Sequence, residues 1–149
     1  MTWRDWLLFV HITGAVLYVG SSITLTAVVQ RARRDGSLDV LLSTIEATAP
    51  LPMAGAILLL LSGAGLVITV DAWAFTSWFV LIGIGAIVIS GTSESIYFSR
   101  QVRLLRPLRG RPDAMPEVGR RLSRLFRAAL AIDLVPLVAI WAMVAKPGA

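Results

Sequence analysis

Four stretches of nearly unbroken apolar residues dominate the chain, at residues 6–29, 51–70, 77–99 and 126–145. Each is about twenty residues long, and a helix rising about 1.5 Å per residue then crosses the roughly 30 Å of bilayer hydrocarbon. Within them the apolar positions run on, as in Ala56-Ile57-Leu58-Leu59-Leu60-Leu61. The strands of a membrane barrel would instead alternate apolar and polar positions over about ten residues. The pattern therefore predicts helices. The first stretch reads as a retained helix rather than a signal peptide, because Arg4 is cancelled by Asp5 and the run is too long for an h-region. Between the third and fourth stretches, Pro107, Gly110, Pro112 and Pro116 punctuate a turn, and no shift in composition marks a second domain. The expected architecture is an all-α membrane protein: one transmembrane domain over residues 1–149, folded as an antiparallel up-down four-transmembrane-helix bundle.

Composition sharpens that picture. With 56% hydrophobic and 15% charged residues, no cysteine and one histidine, the chain is unlike a soluble enzyme, a disulfide scaffold or a disordered segment. Thiolate chemistry is excluded, as is a His-rich metal site within one chain. No Gly-rich phosphate loop, hydrolase elbow or zinc-protease helix is present, which argues against enzymatic catalysis without deciding it. The sequence pI of about 11.0 reflects arginines that flank the spans and meet anionic lipid head groups, not nucleic-acid binding. Twelve of the fourteen basic residues, Arg31, Arg33, Arg34 and the nine arginines from Arg100 to Arg127, fall on one side of the predicted topology. Only Arg4 and Lys146 fall on the other. The positive-inside rule makes the arginine side cytoplasmic, with both termini and the 71–76 turn outside. Trp3, Trp6, Trp73, Trp78 and Trp141 fall near the outer ends of the spans, as an aromatic interface belt would place them. Arg120, Arg124 and Arg127 share a helical face, so the fourth helix is expected to continue beyond the lipid.

Inside the spans, small residues mark packing faces. Gly14, Ala15, Tyr18, Ser21 and Ser22 lie on the first, Gly55, Ser62, Gly63 and Gly65 on the second, and Gly83, Gly85, Ser90, Gly91, Thr92, Ser93 and Ser95 on the third. A homodimer through such faces is a further arrangement they allow. Ionisable residues within a span are costly enough to count as site candidates, and three occur: His11, Glu94 and Asp133. Glu94 and Asp133 stand at matching depth, roughly 9 Å from the arginine edge, and could face each other as a proton or ion path. Pro136 follows Asp133 by one turn and frees a backbone carbonyl near Ile132. The alternative for the acids is pairing with Arg100 or Arg127, or bonding to Ser90, Ser93 and Tyr97. His11 shares the small-residue face and is either hydrogen-bonded to a hydroxyl or helix carbonyl, or an axial metal ligand of haem b. Met143, or His11 of a second copy, would supply the other axial ligand, and Lys146 comes to a similar depth.

The stretch from Val10 to Gly20, together with Thr48-Ala49-Pro50 leading to Leu58 through Leu66, and the small-residue helix running from Gly91 into Arg103, resembles a family of bacterial predicted integral membrane proteins, a domain of unknown function with four transmembrane helices. The resemblance implies a multi-pass protein of the bacterial inner membrane. A histidine early in the first helix followed by glycine is distantly similar to HemJ-type protoporphyrinogen oxidases and copper-resistance D-type membrane domains, which implies haem, porphyrin or copper chemistry at His11. The intramembrane lysine of the HemJ type has no counterpart, since Lys146 is the only lysine. Three functions follow as expectations. The first is a non-catalytic accessory or binding role in the membrane, the second haem binding or redox chemistry through His11, and the third movement of protons, ions or small solutes using Glu94 and Asp133.

Overall fold

The computed structural model describes residues 2–70 and 73–145, and Lys146 and Asp71 lie outside them. The described residues form six α-helices: α1 (Trp3–Asp35), α2 (Asp39–Thr48), α3 (Pro50–Thr69), α4 (Trp78–Ser93), α5 (Ser99–Leu105) and α6 (Met115–Val144). A wide π turn, Glu94–Phe98, joins α4 to α5, and 3-10 turns at Arg106–Leu108 and Pro112–Ala114 lead into α6. Among the described residues four helical units, Trp3–Asp35, Asp39–Thr69, Trp78–Leu108 and Pro112–Val144, are long and apolar enough to cross a membrane. The molecule is thus an all-α four-helix membrane bundle.

Local sequence explains the helix ends. Thr2 caps α1 by accepting the Asp5 backbone N–H at 3.3 Å, while the Asp5 carboxylate accepts the Thr2 N–H at 2.7 Å. At the other end Gly36 turns the chain in the left-handed region, φ 68°, and its N–H reaches the Ala32 carbonyl at 2.9 Å. Pro50 and Pro116 sit in the first turns of α3 and α6, where a missing N–H costs nothing.

Packing follows two regimes. Across the apolar stretches, α1 lies closely against α3 and also against α6, and α6 lies against α4, while α3 and α4 barely meet. Two of the close approaches are to backbone. A Cβ added to Gly14 would stand 2.9 Å from the Leu59 nitrogen, and one added to Gly55 would stand 2.7 Å from the Tyr18 nitrogen. Lipid offers no hydrophobic drive between helices, so close approach over small residues supplies the contact energy. At the arginine-rich end the packing is different. Val29, Leu41, Leu105, Val118, Leu122 and Leu125 form a core that is buried to the last few percent. These residues lie at or beyond the ends of the apolar stretches, where water is available and burial of Leu and Val is favourable.

That core changes the reading of residues 30–50 from a simple connection to a structural element. Helix α2 occupies it and buries Leu41 and Leu42. Its polar face is tied to the turn before α6 by ion pairs from Arg106 to Glu46, at 2.7 Å, and from Arg109 to Asp39. Helix α6 starts well before Phe126 and carries Val118, Leu122 and Leu125 into the same core. The tryptophans gather at the opposite end, where Trp73 and Trp78 both meet Phe79 edge to face.

Candidate functional site

Along α1 a polar stripe recurs at His11, Tyr18, Ser22 and Thr26, spaced seven, four and four residues apart so that all lie near one face. Each finds a partner on another helix. Tyr18 Oη lies 2.7 Å from Ser90 Oγ of α4, and Ser90 donates to the Ala86 carbonyl. Ser90 therefore accepts the Tyr18 proton.

One turn further along, the two intramembrane acids meet. Ser22 Oγ stands 2.5 Å from Glu94 Oε1 and 2.5 Å from Asp133 Oδ1, and Thr26 donates to Asp133 Oδ2 at 2.7 Å. Ser22 and Thr26 are buried, and Glu94 and Asp133 are largely covered. Among the described residues no arginine lies within ion-pair distance of either acid, so Arg100 and Arg127 do not neutralise them. Nor do Ser90, Ser93 or Tyr97 bond to them. The hydroxyls that do come from α1.

Hydrogen counting defines the chemistry of this cluster. A serine hydroxyl has one proton to donate, so only one of its two carboxyl contacts can use it. The other contact needs a proton on the carboxyl oxygen. Either carboxyl can carry that proton. Thr26 gives Asp133 a second donor, which favours Asp133 as the carboxylate and Glu94 as the acid. That arrangement runs from Glu94 to Ser22 and from Ser22 to Asp133, with one proton and one negative charge over two carboxyls.

Two backbone irregularities flank it. Glu94 is the first residue of the π turn, a widened geometry that recurs at functional sites. Asp133 precedes Pro136 by three residues in α6, and proline has no N–H for the Ile132 carbonyl. The helix nevertheless runs unbroken through this point.

His11 is placed elsewhere, against α3. Its Nδ1 lies 3.2 Å from the Leu59 carbonyl and 3.2 Å from Ser62 Oγ. The carbonyl can only accept, so Nδ1 carries the proton, and Ser62 passes its own to the Leu58 carbonyl. The ring faces Gly63, where an added Cβ would come 3.1 Å from His11 Cε1. Met143 packs with Val67, Phe79, Val80 and Ala142, its methyl 2.7 Å from a Cβ added to Gly83. The small residues beside His11 are thus taken up by the α1–α3 contact, and Met143 packs in a separate cluster.

The sequence placed Glu94 and Asp133 at one depth and Ser22 on the packing face, and the structure brings all three together. Thr26 was missed. Its signal was available as the next step of four after Tyr18 and Ser22, on a face that continues to Val29.

Residues 5–147 match the model of a family described as Predicted integral membrane protein (DUF2269). No curated protein matches the chain, and no solved structure does.

Proposed function

The chain belongs to this family of integral membrane proteins, and on that premise we propose that it is a non-catalytic, proton-linked membrane protein in which Glu94 and Asp133 hold and exchange a proton inside the bundle. The observation that supports the reading is the single Ser22 hydroxyl 2.5 Å from both carboxyls, where its one proton can serve only one of them and a proton on the other carboxyl completes the second bond. Ionisable side chains at such depth are costly and mark proton or ion pathways in pumps and transporters. A Ser22 hydroxyl between donor and acceptor can rotate, passing its proton to Asp133 while taking that of Glu94, so the charge moves between α4 and α6 without either carboxyl leaving its place. Loss of the proton from the pair would put two anions on one hydroxyl, a state that favours separation of α4 from α6 at the π turn and at Pro136. Protonation and helix position are linked in this way, as coupling of proton movement to a solute or ion requires. We further place the protein in the inner membrane of a bacterial cell with the arginine-rich end in the cytoplasm, in keeping with the charge asymmetry.

The test is proton movement in liposomes that hold the purified protein and an enclosed pH dye. An imposed pH gradient is expected to collapse faster with the native chain than with Glu94→Gln or Asp133→Asn, and an infrared spectrum of the native protein is expected to contain a protonated-carboxyl band that Glu94→Gln removes. A native protein with no such band, and with proton leak equal to that of both variants, would overturn the reading.

A further inference from the structure

On the outside of the bundle, where the π turn passes into α5, Ser95, Ile96, Ser99, Arg100, Arg103 and Leu104 line an open groove of about 550 Å³. Its arginines differ from most of their neighbours. Arg31, Arg106, Arg109, Arg111, Arg120 and Arg121 each lie within ion-pair distance of a carboxylate. Arg100 and Arg103 have no such partner among the described residues, and the nearest intramembrane acid in sequence, Glu94, is turned inward to Ser22. Spaced three apart, the two guanidiniums project from one face of the helix, and Ser99 immediately precedes Arg100 in sequence.

The groove is graded along the membrane normal. Arg100 and Arg103 stand at the edge of the apolar stretch. Ile96, one turn toward the bilayer centre, is 67% exposed, and Ile89 and Val88 continue the outward apolar surface at 58% and 57%. A ligand that matches this surface carries an anion at one end and hydrocarbon at the other. We propose that the groove is a binding site for an anionic phospholipid, its phosphate held by Arg100, Arg103 and Ser99 and an acyl chain lying over Ile96. Charge complementarity carries the assignment. Guanidinium presents a planar fork of donors that matches two phosphate oxygens, and unpaired arginines at this depth are available to make that contact. The continuous apolar surface beneath them selects a lipid over free phosphate.

The full chain, reconstituted in phosphatidylcholine bilayers with trace spin-labelled phosphatidylglycerol or spin-labelled phosphatidylcholine, gives the relative association of each lipid from its motionally restricted fraction. Phosphatidylglycerol is expected to be preferred by the native protein. That preference should fall roughly 5-fold in Arg103→Gln and roughly 25-fold in Arg100→Gln/Arg103→Gln, in line with about a kilocalorie for each basic residue near the surface. Arg120→Gln/Arg121→Gln removes the same charge from the same end of the bundle and is expected to leave the preference unchanged. Arg103→Gln alone retains all other basic residues, so it carries the test if the double variant loses helical content. An equal fall in Arg120→Gln/Arg121→Gln would assign the effect to diffuse charge and overturn the site. So would displacement of the labelled lipid by millimolar inorganic phosphate, or the absence of any preference in the native chain.

Discussion

Ser22 is the residue on which the bundle's polar interior turns, because one hydroxyl proton has to serve two carboxyls. The two acids are therefore not equivalent, and amide replacements should tell them apart. In Glu94→Gln the amide N–H₂ can still donate to Ser22, so unfolding in detergent is expected to shift by no more than about 1 kcal/mol. In Asp133→Asn the site keeps a donor group where Ser22 and Thr26 both need an acceptor, and a loss of about 1–3 kcal/mol is expected. Ser22→Ala strands the Glu94 proton and removes one Asp133 donor, so its cost should match that of Asp133→Asn, measured by the same unfolding midpoints. Equal effects of the two amide variants would contradict the assigned direction of the chain. His11 belongs to a separate, α3-facing contact. His11→Ala is expected to lower stability by about 0.5–1.5 kcal/mol through loss of that bond, with no change in the protein's absorption in the visible range.

At the scale of elements, glycine positions that look alike in the sequence divide sharply in space. Gly55 and Gly85 both read as small residues on a packing face. A Cβ on Gly55 would meet backbone atoms of α1 at 2.7 Å and 3.0 Å, whereas one on Gly85 meets nothing within 4 Å. Gly55→Ala is expected to force α1 from α3 at a cost of about 1–3 kcal/mol, while Gly85→Ala should gain about 0.5–1 kcal/mol from helix propensity; thermal unfolding of the two variants side by side checks both signs. The same contrast shows what the sequence could express. The four long helices were legible, because lipid demands an unbroken apolar run of fixed length and nothing else in the chain supplies one. The meeting of Glu94 with Asp133 was legible as a match of depth. Which glycines touch was not, since that depends on helix rotation, and periodicity over a wholly apolar span leaves rotation undetermined. Helix α2 escaped notice because its Leu41, Leu42 and Ile45 make too short a run to register as a span, and their purpose appears only with Leu122 and Leu125 opposite them. The π turn at Glu94 had no signature in residue type at all.

Taken whole, the molecule is built for two solvents, and this gives it a polarity along its long axis. One end has a dense leucine and valine core braced by α2 and surrounded by arginines, several in ion pairs with Asp39, Glu46 and Glu117. The other has exposed tryptophans, with Trp3 at 70% and Trp141 at 66%, and no comparable core among the described residues. Burial of Leu and Val stabilises a fold most where the alternative is water, which is in keeping with an arginine end that extends past the lipid and a tryptophan end that stops at its interface. Leu122→Ala, at 1% exposure, is accordingly expected to cost about 2–5 kcal/mol, whereas Leu134→Ala, on a surface that faces lipid in either state, should cost far less. By the positive-inside rule, twelve basic residues against two predict the direction in which this axis crosses the membrane, with the arginine end in the cytoplasm. Reporter fusions at Gly36 and Gly110, both in turns of the arginine end, should read cytoplasmic, and a fusion following Ala149 should read exported. A cytoplasmic reading from the C-terminal fusion together with cytoplasmic readings at Gly36 and Gly110 would require an odd number of crossings after Gly110 to be lost, and would undo the four-span orientation; exported readings at both turns would invert it and place the lipid groove of Arg100 and Arg103 on the opposite leaflet.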